Sequence, residues 1–268
     1  MDHLRQHQAP ITDAGWAAVN AEATRTLRHF LAARPLVDFH GPMGWDYSAS
    51  DLGRTEPVAS VPEGVELRRR LVKSLLELRT PFTLARDELD AVDRGASDPD
   101  LSNLIDAGRR AAAAEDRAVF HGHREGGIVG MTEASPHAPL PIGDDYNAYP
   151  RTVAKAVATL RTIGVGGPYG IALGPRCYTG VIETTEHGGY PVLEHIRLIL
   201  GGPIMWAPAV DGAVVVSLRG GDYVLVCGQD FSVGYLDHTD TAVRLYFEES
   251  VSFAVNEPAA AVALQYPS

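Results

Sequence analysis

The sequence is poor in cysteine: Cys177 and Cys227 are the only two in 268 residues. That is too few for a disulfide framework or a four-cysteine zinc site, and both read as small buried hydrophobes. No run of about 18 apolar residues is long enough to span a membrane. Residues 1–15 lack the apolar stretch of a signal peptide, so the chain reads as soluble and cytoplasmic. Basic residues are the minority, 23 against 34 acidic, for a net charge of −11. An anionic polymer such as nucleic acid is therefore disfavoured as a partner.

Catalytic signatures are absent too. There is no G-x-x-x-x-G-K-[ST] loop, no H-E-x-x-H helix and no G-x-S-x-G elbow. Gly164, Gly166, Gly167 and Gly170 suggest a phosphate loop, but Tyr169 stands where the dinucleotide fingerprint needs its third glycine. His121 and His123 have no third metal ligand nearby in sequence. The acidic groups Glu248-Glu249, Asp144-Asp145 and Asp237 read as hydrated strand or loop charges rather than an acid–base pair. No catalytic residue, metal site or cofactor is expected.

What is present is a folding chain, with 45% hydrophobic and 21% charged residues and a length of one elaborated domain or two interlocked lobes. Trp16, Val19, Ala23, Leu27 and Phe30 recur at helical spacing over 12–33, behind Thr12 as cap. Residues 51–84 read as a long arm-like hairpin around Pro62-Glu63-Gly64, with Pro57 and Pro81 arguing against a central strand. Its second limb mixes leucines with Arg68, Arg69, Arg70, Lys73 and Arg79, a surface that needs cover. Longer helices are expected over 98–123 and 147–163, a strand at 169–174, a loop over 184–191 and a helix in 193–200. The last eighty residues read as β-rich, with a hairpin turning at Gly220-Gly221. The class is α+β.

Several multi-residue motifs carry a resemblance: the Gly41-Pro42-Met43-Gly44-Trp45-Asp46-Tyr47 loop, Glu77-Leu78-Arg79-Thr80-Pro81-Phe82-Thr83-Leu84, Glu88-Leu89-Asp90, Asp100-Leu101-Ser102 and Gly228-Gln229-Asp230-Phe231-Ser232-Val233-Gly234-Tyr235. Together, in order and over essentially the whole length, they resemble the type 1 encapsulin shell proteins, once labelled linocin-like bacteriocins. The resemblance implies the Hong Kong 97 phage-like capsid fold. A peripheral lobe would comprise 1–50, 85–135 and 223–268, an extended E-loop arm 51–84, and an axial lobe 136–222.

It also implies a non-catalytic function. Copies would close head to tail into an icosahedral nanocompartment, in its simplest T=1 form about 60 copies, with neighbours covering the arm. The shell would enclose a dye-decolourising peroxidase or a ferritin-like protein by binding its carboxyl-terminal targeting peptide on the inner wall. By position, Leu27, Phe30, Arg34, Asp38, Phe231, Val233 and Tyr235 are the docking candidates, the apolar members offering pockets. The charged pair Arg34 and Asp38 would fix orientation or pair with each other. Glu186, His187, Gly188, Gly189 and Tyr190 match the five-fold pore loop, where paired glycines permit tight or mobile backbone and ring charge would follow pH. Two other readings are a phage major capsid protein of the same fold, and an enzyme whose site the sequence does not display.

Overall fold

The structure is a computed structural model and describes residues 3–59, 62–186 and 188–267. Helix α1 (Asp13–Phe30) starts where expected, with Thr12 accepting the Gly15 N–H, and is followed by the short strand β1 (Asp38–His40). Strands β2 (Ala49–Pro57), β3 (Arg68–Ser74) and β4 (Leu76–Ala85) lead into α2 (Arg86–Asp93) and the long α3 (Ser102–His121). Then come α4 (Met131–Ala134), β5 (Leu140–Pro141), α5 (Tyr149–Thr162), β6 (Tyr169–Leu173), α6 (Pro175–Glu183) and α7 (Val192–Leu200). The chain finishes with β7 (Ile204–Trp206), β8 (Ala213–Ser217), β9 (Tyr223–Cys227), β10 (Ser232–His238), β11 (Ala242–Val255) and β12 (Ala261–Gln265).

Among the described residues the strands form two five-stranded sheets and one separate pair. In the first sheet the 14-residue β11 is central: β4 pairs with residues 242–251, β10 with 243–248 and β9 with 251–255, and β1 joins β9 in parallel. Because β4 and β10 share one stretch of β11, they flank it, and β10 is an edge strand. The second sheet has the order β5-β12-β8-β6-β7. The separate pair is the arm, β2 against β3, from Ala49↔Ser74 to Pro57↔Arg68. Its turn includes a Val65 N–H to Pro62 carbonyl bond, with Gly64 at φ 80.

Helix α3 ties the two halves together. Leu104, Ala107, Ala111 and Ala112 pack with α1, β4, β10 and β11 in one core, while Ala118, Val119 and Phe120 enter the core built on the second sheet. Small residues are needed where α3 meets α1, since a Cβ on Gly108 would lie 2.9 Å from Thr26 Cγ2 and 3.4 Å from the Phe247 ring.

Two expectations are corrected. Residues 76–84 do not continue the arm but run in the first sheet, because from Leu76 onward every second residue turns inward, ending in buried Phe82 and Leu84. Pro81 is tolerated because β4 has only one neighbouring strand. The hairpin at Gly220-Gly221 is not formed either: β8 pairs with β6 and β12, and β9 with β1 and β11, so this link crosses between sheets. Both runs are almost wholly buried, and a continuous apolar run does not encode which strand lies beside it.

Candidate functional site

Helix α1 places Asn20, Ala23, Thr24 and Leu27 on one face by its i, i+3, i+4, i+7 spacing. Opposite them run Phe231, Ser232 and Val233 at the start of β10, with Phe247 of β11 contributing to the lining. Leu4 and Gln6 complete a groove of about 240 Å³, room for one or two aliphatic side chains. Three docking candidates, Leu27, Phe231 and Val233, thus meet in one cavity.

The other four do not line it. Phe30 lies against Trp206, ring centroids 5.6 Å apart, and borders a separate cavity with Arg25, His29 and Ile105. Tyr235 is buried, its N–H donating to the Leu4 carbonyl at 2.9 Å and its hydroxyl 2.5 Å from His238 Nδ1. Asp38 sits on β1, where Oδ2 accepts the Gly221 N–H at 2.5 Å, beside a cavity lined by Leu36, Ser217 and Tyr223.

Arg34 is committed to a buried ion cluster, not to Asp38. Its Nε donates to Glu115 Oε1 at 3.0 Å and its Nη1 to Asp230 Oδ1 at 2.9 Å. Nη2 donates to Glu249 Oε1 at 2.5 Å and Glu115 Oε2 at 2.7 Å. Burial works against the charge, but Glu115 first, then Glu249 and Asp230, outweigh it and hold the guanidinium more firmly protonated than usual. Its carbon lies 4.8 Å from the Phe39 ring centroid and 5.5 Å from that of Phe231, and Asp230 Oδ1 also accepts the Phe231 N–H at 2.8 Å. Arg34 therefore positions the groove's aromatic wall.

Sequence reading missed Glu115, Asp116 and Asp230, and it took Glu248 and Glu249 as hydrated. Both glutamates are fully buried, because they lie mid-way along the central strand. Glu248 Oε2 meets Arg79 Nη2 at 2.6 Å, and Glu249 meets Arg34. Burial, then the neighbouring Glu115, raises Glu249 well above the usual carboxylate range. Asp116 accepts the Ala32 and Ala33 N–H groups, each at 2.9 Å; burial nevertheless pushes it up to about 7. Sequence neighbours carry no signal for such clusters, whose members come from four separate segments.

Among the described residues one group has metal-ligand spacing: Cys227 Sγ and carboxylate oxygens of Asp230 and Glu249 lie within 4.8 Å of one another. Arg34 already supplies the counter-charge to both acids, and burial, then Glu249, raises the Cys227 thiol above its ordinary range. The arrangement is an ion-pair network. Cys177, also buried, closes a hydrogen-bonded triangle with the Tyr149 and Tyr266 hydroxyls at 3.1–3.2 Å.

The loop expected over 184–191 is held at its base, where the Glu186 N–H donates to the Tyr190 carbonyl at 2.8 Å. Gly188 at φ 114 and Gly189 at φ 82 adopt backbone that a side chain would strain. Glu186 Oε1 lies 2.7 Å from His195 Nδ1 on α7, and Tyr190 is 46% exposed. His187 lies outside the described residues.

A family model described as an encapsulating protein for peroxidase matches residues 1–252. The chain belongs to the type 1 encapsulin shell protein family. It is 49% identical to the type 1 encapsulin shell protein of Rhodospirillum rubrum, over 99% of this chain and 97% of that one. It is 40% identical to that of Mycobacterium tuberculosis, over 99% and 100%. The fold is that of a virus-like particle from Pyrococcus furiosus, with a TM-score of 0.68 at 16% identity, covering 93% of this chain and 99% of that one. Other capsids share it at lower similarity, so the architecture is the Hong Kong 97 phage-like capsid fold. This encapsulin is a shell protein and not an enzyme, in keeping with the names its relatives carry. Among the described residues no helix is long and apolar enough to cross a membrane.

Proposed function

We propose that this encapsulin closes into an icosahedral T=1 shell of about 60 copies in the cytoplasm and captures an enzyme by its carboxyl-terminal tail. The groove between α1 and β10 is the docking site, and its juxtaposition of Leu27, Phe231 and Val233 is the observation that carries the reading. A short peptide bound there buries aliphatic side chains against an apolar floor, while Asn20, Thr24 and Ser232 offer polar contacts at the rim. The cargo class is a dye-decolourising peroxidase or a ferritin-like protein, in line with the description of the matching family as encapsulating peroxidase. The first sheet with α1 and α3 serves as peripheral lobe, the β2–β3 hairpin as the arm, and the second sheet with α5–α7 as axial lobe, which takes β12 (Ala261–Gln265) out of the peripheral lobe that the resemblance assigned to 223–268. Glu186, Gly188, Gly189 and Tyr190, with His187 from outside the described residues, are assigned to the five-fold pore loop.

The test is co-production of the chain with a fluorescent protein bearing the tail of a peroxidase or ferritin-like protein encoded beside it. Hollow particles by electron microscopy, with fluorescence retained by the natural chain and lost with Leu27→Asp, are the expected result. Equal retention by intact Leu27→Asp shells would overturn the assignment of the groove.

A further inference from the structure

The groove is not fully open, because the chain's own amino-terminal segment lies along it. β10 is an edge strand, and an edge strand offers unpaired backbone groups to any extended segment. Here two of those groups are already taken: the Tyr235 N–H donates to the Leu4 carbonyl at 2.9 Å, and Gln6 Nε2 donates to the Val233 carbonyl at 2.6 Å. The Phe231 N–H is satisfied by Asp230. Leu4 and Gln6 line the same cavity as Leu27, Phe231 and Val233. A peptide entering the groove as an added strand therefore meets two pairing positions, Tyr235 N–H and the Val233 carbonyl, that are occupied.

Beyond these two bonds the segment is held at its ends. His3 stacks on Trp45, ring centroids 4.0 Å apart, with Nε2 3.3 Å from Glu248 Oε1. At the other end a single 3-10 turn, Gln6–Gln8, precedes the Thr12 cap. Between them Arg5 sits at φ 52, a left-handed conformation that a side chain disfavours. The strain at Arg5 is relieved if the segment leaves.

We propose that residues 3–8 are an internal stand-in for the cargo tail, covering the β10 edge of the groove in the empty shell and giving way to the tail on loading. This rests on the groove being the docking site. The occupant it implies is an extended peptide with an aliphatic side chain for the space beside Leu27 and Val233. Its main chain takes over Tyr235 N–H and the Val233 carbonyl, the strand-addition mode of peptide recognition. Affinity is set by the fraction of chains whose own segment is displaced, so weakening the segment strengthens capture.

Hydrogen exchange of residues 3–9 in empty shells, compared with shells loaded with the tail-bearing fluorescent protein, reads the displacement directly. Faster exchange on loading is expected. Leu4→Gly combined with Gln6→Ala should raise the tail captured at limiting supply roughly fivefold, the loss of about one hydrogen bond's worth of competition. If capture disappears with Leu27→Asp while exchange of 3–9 is unchanged by loading and the double variant captures no more, the stand-in is overturned and the groove stands. Capture indifferent to Leu27→Asp overturns both.

Discussion

Arg34 Nη2 lies 2.5 Å from Glu249 Oε1, and the same nitrogen reaches Glu115 Oε2 at 2.7 Å. One guanidinium thus clamps the exit of α1 to the middle of α3 and to the central strand β11, while Nη1 holds Asp230, the residue before Phe231 of the α1–β10 groove. The clamp matters because both glutamates are fully buried and unpaired charge in a core is costly.

Removing Arg34 should be severe. Arg34→Ala strands Glu115 and Glu249 without a cation, which typically costs about 3–5 kcal/mol. Denaturant titration of the variant should show that loss, and Arg34→Lys should recover only part of it, since an ammonium has no planar fork to serve three carboxylates at once. A loss below about 1 kcal/mol would mean that solvent reaches the cluster.

Why the sequence revealed some of this and not the rest follows from range. Helix α1 was legible in Val19, Ala23 and Leu27, whose spacing is local, and the long α3 likewise in Leu104, Gly108, Ala112 and Val119. Helix α6 was not anticipated: the sequence reading passed from the strand ending at Gly174 to the loop at 184–191, whereas Pro175 starts the helix and Gly180 admits the Tyr146 ring. Partners across the fold were invisible: nothing near Arg34 in sequence announces Glu115 or Glu249. Leu27, Phe231 and Val233 were named through family resemblance, and their meeting in one cavity depends on β10 lying beside α1, a tertiary fact. Asp38 and Arg34 were read as orienting a peptide or pairing with each other, but the chain runs into β1 between them and sends them to different partners.

Stability should fall as pH rises from about 4 to about 7. Burial raises Asp116 in the folded chain to about 7, so over that window the folded state keeps a proton the unfolded state has released, and stability declines with pH until both have lost it. Glu249, raised by burial and Glu115, acts in the same direction. Asp116→Asn should be less stable at every pH, because an amide nitrogen would face the Ala32 or Ala33 N–H, yet its stability should vary less between pH 4 and 7. Denaturation midpoints across that range, for both proteins, provide the check; equal slopes would show Asp116 ionised throughout.

Asp38 and Phe231 should separate stability from docking. Asp38→Ala removes the acceptor for the Gly221 N–H in the link between the sheets, costing about 1 kcal/mol. Because Asp38 borders a different cavity, tail capture should be unchanged. Phe231→Ala should do the reverse, lowering capture at least tenfold for a lost aromatic wall, about 1.4 kcal/mol, with shells intact. Capture assays alongside melting curves distinguish the two, and loss of capture in Asp38→Ala would place the docking surface across β1 as well.

The arm should be required for assembly and dispensable for folding. Its β2–β3 pair forms a sheet of its own, and Leu52, Val58, Val65, Leu67 and Val72 are all exposed on it. An apolar hairpin without a core is unstable in water unless another surface covers it, and in the proposed shell a neighbouring copy would be that surface. Val72→Asp places a charge on an exposed strand position opposite Asp51, 48% accessible in the single chain and outside both hydrophobic cores. The folded chain should therefore survive with unchanged circular dichroism, while the desolvation of an unpaired carboxylate at each copy-to-copy contact blocks closure. Size-exclusion chromatography should then show subunits or small oligomers in place of shells, and normal particles from Val72→Asp would mean that this part of the arm faces solvent in the assembly.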